Sequence, residues 1–266
     1  MEEMTFWDHL EELRMVLFRC IGTIVVLSIG FFIVMPWMFD KVIMAPCFGD
    51  FPIYRIFCSL TRYFTESSSL CDEAFKVNII NIRLASQFLI HLQTSFIFAI
   101  IVGLPFLFFE IWKFVQPALY DKEKKSFRFA FSLASILFYI GLCLGYFIVF
   151  PITLRFLNDY QLSAIIVNQL SLDSYMSTFF SMNLIMGIVF EMPILFLILS
   201  KLGLIHRSFF KKWRKHAIVI LLILAAVITP TGDPFTLTIV ALPLYILYEV
   251  SGLIVKDDKK IPDQSN

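Results

Sequence analysis

Polar and charged residues fall in blocks along this chain, separated by long stretches that are apolar on every side. Residues 2–14 follow a different pattern. Phe6, Leu10, Leu13 and Leu17 recur at helical spacing, with Asp8, Glu11 and Glu12 on the other face, which predicts a short amphipathic helix. Thr5, with Asp8 three residues on, reads as its N-terminal cap. Apolar runs follow at about 15–37, 88–112, 127–150 and 177–200, each longer than the ~20 residues a helix needs to cross a bilayer. Pro105 sits inside the second run, Pro151 stops the third, and Pro193 bends the fourth. Two further runs, 217–229 and 236–255, are joined by the tight turn Pro230-Thr231-Gly232-Asp233-Pro234, and Pro243 interrupts the last. Thirteen residues rise only ~20 Å as a helix. The final pair is therefore either a short crossing that thins the bilayer or a re-entrant hairpin. Residues 38–86 form a long loop expected to carry short helices at the membrane surface.

Composition agrees with this map. Hydrophobic residues make up 59% of the 266-residue chain and mean hydropathy is +0.80, which places it among polytopic membrane proteins. Helix-length runs, not alternating ten-residue segments, argue against a β-barrel. The expected fold is all-α with six transmembrane helices, the last two short. Residues 1–255 form a single membrane domain and 256–266 a polar, disordered tail. The net charge of +1 hides an asymmetry. Basic loops follow the second and fourth runs and Lys256, Lys259 and Lys260 follow the last, whereas the short loops opposite carry only Arg155. The positive-inside rule places both termini in the cytoplasm. The acidic start, with no small-residue cleavage site after the first apolar run, is unlike a secretory signal peptide. Cys47, Cys58 and Cys71 share the first outer loop, where either one disulfide and a spare thiol or three free thiols would fit. Their spacing and that of the four histidines gives no metal-site pattern.

Candidate chemistry is sparse. No HExxH, GxSxG, paired intramembrane aspartates or Gly-rich phosphate loop occurs, so neither an intramembrane hydrolase nor a nucleotide-binding protein is indicated, and no cofactor is expected. Glu191 is the only charge between Asp173 and Lys201. A carboxylate at that depth costs roughly 2.5–3.5 kcal/mol on insertion scales. It shares a helical stripe with Gly187 and Asn183, which reads as a docking or water-lined face. Acids also stand out on the basic side: Asp8, Glu11 and Glu12 at the start, Asp121 and Glu123 after the second run. Two carboxylate clusters suit two guanidinium groups, each able to give a carboxylate two parallel hydrogen bonds. A proton-coupled small-molecule transporter is the competing reading. Glu191 and the proline-broken runs suit it, but the span count is low and no inverted repeat is visible.

Several short motifs occur in order along this map: His9-Leu10-Glu11-Glu12-Leu13-Arg14; Met44-Ala45-Pro46; Trp112-Lys113-Phe114-Val115-Gln116-Pro117-Ala118-Leu119-Tyr120 leading to Glu123-Lys124-Lys125; Phe138-Tyr139-Ile140-Gly141 with Tyr146 and Phe150-Pro151; Phe190-Glu191-Met192-Pro193; and Thr229-Pro230 with Asp233-Pro234-Phe235. With them the chain resembles the TatC family, the multispanning core of the twin-arginine protein translocase, over nearly its whole length. The resemblance implies a concave six-helix bundle in a bacterial inner membrane. It implies a receptor for the twin-arginine signal peptides of folded precursors, working with single-span TatA- and TatB-like partners and driven by the proton gradient. The receptor complex is expected to hold several copies of the chain. By the same resemblance Glu12 and Glu123 are the signal-binding acids, and Arg14, Phe114, Pro117, Leu119 and Tyr120 shape their surface. Pro46 and Asp233 are functional positions on the outer side, and Glu191 is the buried acid. Two departures stand out. The family often has a glutamine where this chain has Leu237, which shifts the expected partner contact to Thr236 or Thr238, beside Asn183 and Glu191. Glu110 stands where relatives commonly carry glutamine and is expected to reach toward lipid headgroups.

Overall fold

The computed structural model describes residues 6–61, 75–118, 121–161, 163, 168–201, 203–229 and 233–255. These residues are almost entirely helical. The helices are α1 (Phe6–Met38), α2 (Pro52–Thr61), α3 (Ser86–Val115), α4 (Asp121–Leu144), α5 (Phe150–Asp159), α6 (Leu172–Val189), α7 (Met192–Lys201), α8 (Arg207–Ile228) and α9 (Pro234–Ile254). Among the described residues, five helical stretches are long and apolar enough to cross a membrane: His9–Cys47, Ser86–Val115, Arg128–Asp159, Leu172–Lys201 and Pro234–Ile254. Their outward faces carry exposed large side chains, among them Ile33, Phe88, Phe109, Ile188 and Leu242, as lipid contact requires. The protein is an all-α polytopic membrane protein. Its one sheet among the described residues pairs β1 (Ile79–Ile80) with β2 (Leu170–Ser171), two residues each, in parallel.

The sequence expectation needs two corrections. The amphipathic start is not a separate helix: α1 runs unbroken for 33 residues, because no glycine or proline lies between Phe6 and Ile21. At 1.5 Å per residue it is about 50 Å long, well beyond a ~30 Å hydrocarbon core. Pro151 does not stop the third run. α4 passes into a π-helical turn, Gly145–Val149, and then into α5, whose second residue is Pro151. A proline is tolerated in the first turn of a helix, where its missing N–H has no intrahelical duty. Pro193, in contrast, does interrupt the fourth run. Its ring would clash with the carbonyl four residues back, that of Val189, and α6 ends on that residue. Glu191 sits in the resulting break and α7 restarts at Met192, with Glu191 N–H bonding the Ile188 carbonyl at 3.1 Å.

The chain divides into two compact units. The first comprises Met1–Ser135 and Phe150–Phe180. Its main feature is α1 packed along α3, where Phe32 stacks on His91 at 4.1 Å, and the His91 Nε2 lies 2.8 Å from the Phe32 carbonyl. Ser86 donates to Asp173 at 2.7 Å, and Phe150 packs edge-on against Tyr175 and Phe179. The second unit comprises Ile136–Val149 and Ser181–Asn266. Here α8 pairs with α9, and α7 also packs on α9. Tyr248 donates to the Phe210 carbonyl at 2.9 Å, and Arg214 bonds Glu249 at 2.5 Å.

In this second unit glycine allows α4 and α6 to touch backbone to backbone. A Cβ on Gly141 would lie 2.6 Å from the Met186 carbonyl oxygen and 2.8 Å from Phe190 Cβ. Gly141→Ala should therefore overpack the crossing and cost about 1–3 kcal/mol. Gly30→Ala, with nothing within 4 Å of the new methyl, should be neutral or slightly stabilising. Thermal unfolding of the two purified variants in detergent checks this, and equal shifts would refute the close approach.

Candidate functional site

Three groups of polar residues stand out in this apolar molecule, and each is built by a different local rule. The first lies where the start of α1 meets the end of α3. His9 stacks on Phe114 with ring centroids 4.3 Å apart and planes 16° from parallel. Below that contact Arg19 reaches Glu110 at 2.9 Å, and the Glu110 side chain is only 6% exposed. Glu110 is thus turned into the α1–α3 seam and ion-paired, not extended toward headgroups as expected. The sequence carries a signal for this pair, since Arg19 is the only charge between Arg14 and Asp40. Arg14 pairs with Glu11 at 3.5 Å on an exposed face, a contact of little energetic weight. Glu12 is half-buried and has no hydrogen-bond or ion-pair partner among the described residues. Phe114 is half-buried at the last turn of α3, and Pro117 is exposed in the short 3-10 turn Gln116–Ala118. Glu12, Arg14, Phe114 and Pro117 therefore gather at one end of the α1–α3 pair. Thr5, Leu119 and Tyr120 lie outside the described residues. Glu123 falls in the first turn of α4, and its side chain is outside what is described.

The second group is at the opposite end of the same pair. The Tyr54 hydroxyl sits 2.9 Å from the carbonyls of both Pro46 and Pro151 and donates between them. Burial pushes the Tyr54 pKa up, only partly offset by Arg155, so the phenol keeps its proton. Arg155 is 2% exposed. Its guanidinium lies 5.0 Å from the Tyr54 ring centre and 4.5 Å from that of Phe75, with Asp159 at 3.7 Å. Cation–π contacts and one carboxylate offset the cost of burying the charge. Pro46 was expected as a functional position; Tyr54 and Arg155 were not. The clue was available: Arg155 is the only basic residue between Arg128 and Lys201. Cys58, on α2, is in a disulfide, while Cys20, Cys47 and Cys143 are free thiols.

The third group surrounds the break between α6 and α7. Asn183 is buried, and a Cβ on Gly145 would come within 2.9 Å of its side-chain oxygen. A Cβ on Gly187 would meet the Phe138 ring at 2.8 Å. Two of the three stripe residues are therefore closed over by α4 and its π turn, which corrects the expectation of an open docking face along all three. Glu191 remains half-exposed, with Oε1 buried and unpartnered among the described residues. Asp233 caps α9, accepting from the Thr236 N–H at 2.7 Å. Thr236 is wholly buried and Thr238 spends its hydroxyl on the Pro234 carbonyl at 2.7 Å. Neither threonine presents its hydroxyl at the surface as the expected partner contact: Thr238 bonds within its own helix, and the Thr236 hydroxyl is buried, with no hydrogen bond among the described residues. No cluster of three or more metal-ligating side chains occurs among the described residues.

Sequence comparison covers these features together. Residues 8–243 match the family described as TatC, Sec-independent protein translocase protein. A Sec-independent protein translocase protein TatC of Blattabacterium sp. subsp. Periplaneta americana (strain BPLAN) is 38% identical over 250 residues, 94% of each chain. One from Deinococcus radiodurans is 31% identical, covering 93% of this chain and 84% of that one. A solved crystal structure of the twin arginine translocase receptor TatC in DDM superposes with a TM-score of 0.72 at 29% identity, over 93% of this chain and 99% of that chain. With the fold, the polar groups and the motif order all in agreement, the chain belongs to the TatC family of Sec-independent protein translocase proteins, multi-pass membrane components of a translocase and not enzymes.

Proposed function

We propose that this chain is the core receptor subunit of a twin-arginine translocase in a bacterial inner membrane, with six crossings and both termini in the cytoplasm. It binds twin-arginine signal peptides of folded precursors at its cytoplasmic face. With TatA- and TatB-like single-span partners, and further copies of itself, it moves the cargo across at the expense of the proton gradient. The observation that supports this reading is the His9–Phe114 stack, which joins the start of α1, the segment of Glu12, to the end of α3, the segment of Phe114 and Pro117. An acid with no internal partner at a membrane–water boundary suits a guanidinium ligand. Glu123, with Leu119 and Tyr120, completes the surface in this reading. The disulfide at Cys58 supports the orientation, since disulfides persist outside the reducing cytoplasm and α2 lies in the first loop after α1. Glu191 is the intramembrane position that meets a polar group of a partner helix or of the inserted signal peptide.

The test is crosslinking of a precursor bearing RR against a KK control to membranes containing this chain. Strong preference for RR is expected, and equal capture of both would overturn arginine recognition. Glu12→Ala or Glu123→Ala should weaken capture about 10- to 100-fold, the range for a charged hydrogen bond worth about 1.5–3 kcal/mol. Lysine at either position should do worse by repulsion, and normal export by these variants would refute the assignment. At His9 ring stacking is the relevant property. His9→Phe should retain capture and His9→Ala should lose it with unchanged membrane insertion, so an equal loss in both would exclude a stacking role. Glu191→Gln keeps the shape and a hydrogen-bonding head and should export better than Glu191→Ala or Glu191→Arg. If Gln fails as fully as Arg, the charge itself is required.

A further inference from the structure

The function proposed above makes no use of the first half of α8, although that segment is the most basic in the chain. Arg207, Lys211, Lys212, Arg214 and Lys215 fall within ten residues, and no acid occurs between Lys201 and Asp233. The helix sorts them. At about 100° per residue Lys211, Lys212 and Lys215 share one face, and Phe209, Trp213 and His216 the other. The three lysines are exposed. The aromatic residues form a ladder, Phe209 to Trp213 at 6.1 Å and Trp213 to His216 at 4.8 Å, yet Trp213 is still 43% exposed. A third, narrow side is internal: Phe210 packs on Tyr248 at 5.3 Å, and Arg214 bonds Glu249. Arg214 therefore anchors α8 to α9, and Glu249, the acid that α9 brings here, is already occupied. The tail beyond Val255 offers no compensation, because its three lysines and three aspartates cancel. Directly after His216 comes an uninterrupted apolar run from Ala217 to Ile228. The lysines thus stand within the first turns outside hydrocarbon, where headgroups lie.

We propose that residues 209–216 of α8 form a binding surface for anionic phospholipid headgroups. Lys211, Lys212 and Lys215 contact the phosphates, and Trp213 seats the segment at the interface. Exposed cations beside a bilayer attract acidic lipids by about fivefold in affinity per lysine. An amphipathic indole prefers the same depth. The surface also accounts for the shortness of the apolar part of α8. The twelve apolar residues reach only ~18 Å, and lysine stems extended along the helix add apolar length before their charged heads enter the headgroup layer.

The experiment uses the full chain, solubilised in a neutral detergent and titrated with dioctanoyl phosphatidylglycerol or dioctanoyl phosphatidylcholine, with bound lipid counted by native mass spectrometry. About a hundredfold preference for phosphatidylglycerol is expected from the three lysines together. The triple variant K211Q/K212Q/K215Q should lose it by about a hundredfold, and K211R/K212R/K215R should keep it. Lys41→Gln with Lys76→Gln, exposed cations in the first unit, should leave it unchanged. Equal binding of the two lipids, an equal loss in the control pair, or displacement by millimolar inorganic phosphate would overturn the proposal. The readout involves no signal peptide, so its failure would leave the proposed receptor role standing, and the reverse also holds.

Discussion

A hydrocarbon solvent supplies no hydrogen-bond partners, and every irregularity in this molecule is arranged around that constraint. Backbone groups inside a bilayer must be satisfied within the helix that carries them or by protein packed against it. The chain meets this with continuous helices wherever it can, and it confines breaks to places where something else takes over. Between α4 and α5 a π-helical turn carries the chain past Pro151, whose carbonyl then accepts from Tyr54. Between α6 and α7 the chain breaks outright at Pro193, and that break falls where Gly141, Gly145 and Gly187 let α4 and its π turn close tightly over α6. Two prolines with the same chemistry have opposite outcomes because only one is preceded by a widened turn.

The two ends of the α1–α3 pair are consolidated in contrasting ways. At one end a half-buried ion pair, Arg19–Glu110, and a ring stack, His9–Phe114, hold the helices without consuming Glu12. At the other end the polar groups that are engaged meet protein. Tyr54 bridges two proline carbonyls, and Arg155 lies against two aromatic rings with Asp159 nearby. This set of contacts joins α2 to the start of α5. It places Pro46 in a structural role, as the carbonyl that ties the segment after α1 to α2. The contrast between an end with an uncommitted carboxylate and an end whose polar groups face protein fits the proposed one-sided receptor.

Much of this was legible in the sequence. Helices that are apolar all round announce themselves by length, and Pro193 correctly marked a break beside Glu191. The motif order carried the family. The misses share one cause, which is contact between residues far apart in the chain. Nothing local to Glu110 indicates that Arg19, 91 residues earlier, will reach it. Likewise, Tyr54 and Arg155 meet across about a hundred residues. Stripe reasoning put Asn183, Gly187 and Glu191 on one face, but Glu191 lies past the end of α6, and periodicity cannot say whether a face is open. Gly145 and Phe138 closed most of it. At the start of α9, Thr236 and Thr238 looked available because sequence shows neither burial nor a side chain's own helix as a competitor; packing buried Thr236, and the Pro234 carbonyl took the Thr238 hydroxyl.

Arg155 and Glu191 are the instructive comparison. Both are charges placed where water is scarce, and burial of either is tolerable only with compensation. Arg155 has it in full view, in rings and a carboxylate. Glu191 does not: one oxygen is buried and unpartnered, the helix around it is broken, and the small residues that might have left room for a relay are filled by α4 and its π turn. A proton relay needs a chain of titratable groups at one depth. The second unit has no other acid within α6 or α7, and Glu249 near the far end of α9 is held by Arg214. A cost of roughly 2.5–3.5 kcal/mol, with no hydrogen bond to Oε1 among the described residues, is what the proposed contact with a partner helix or signal peptide would relieve.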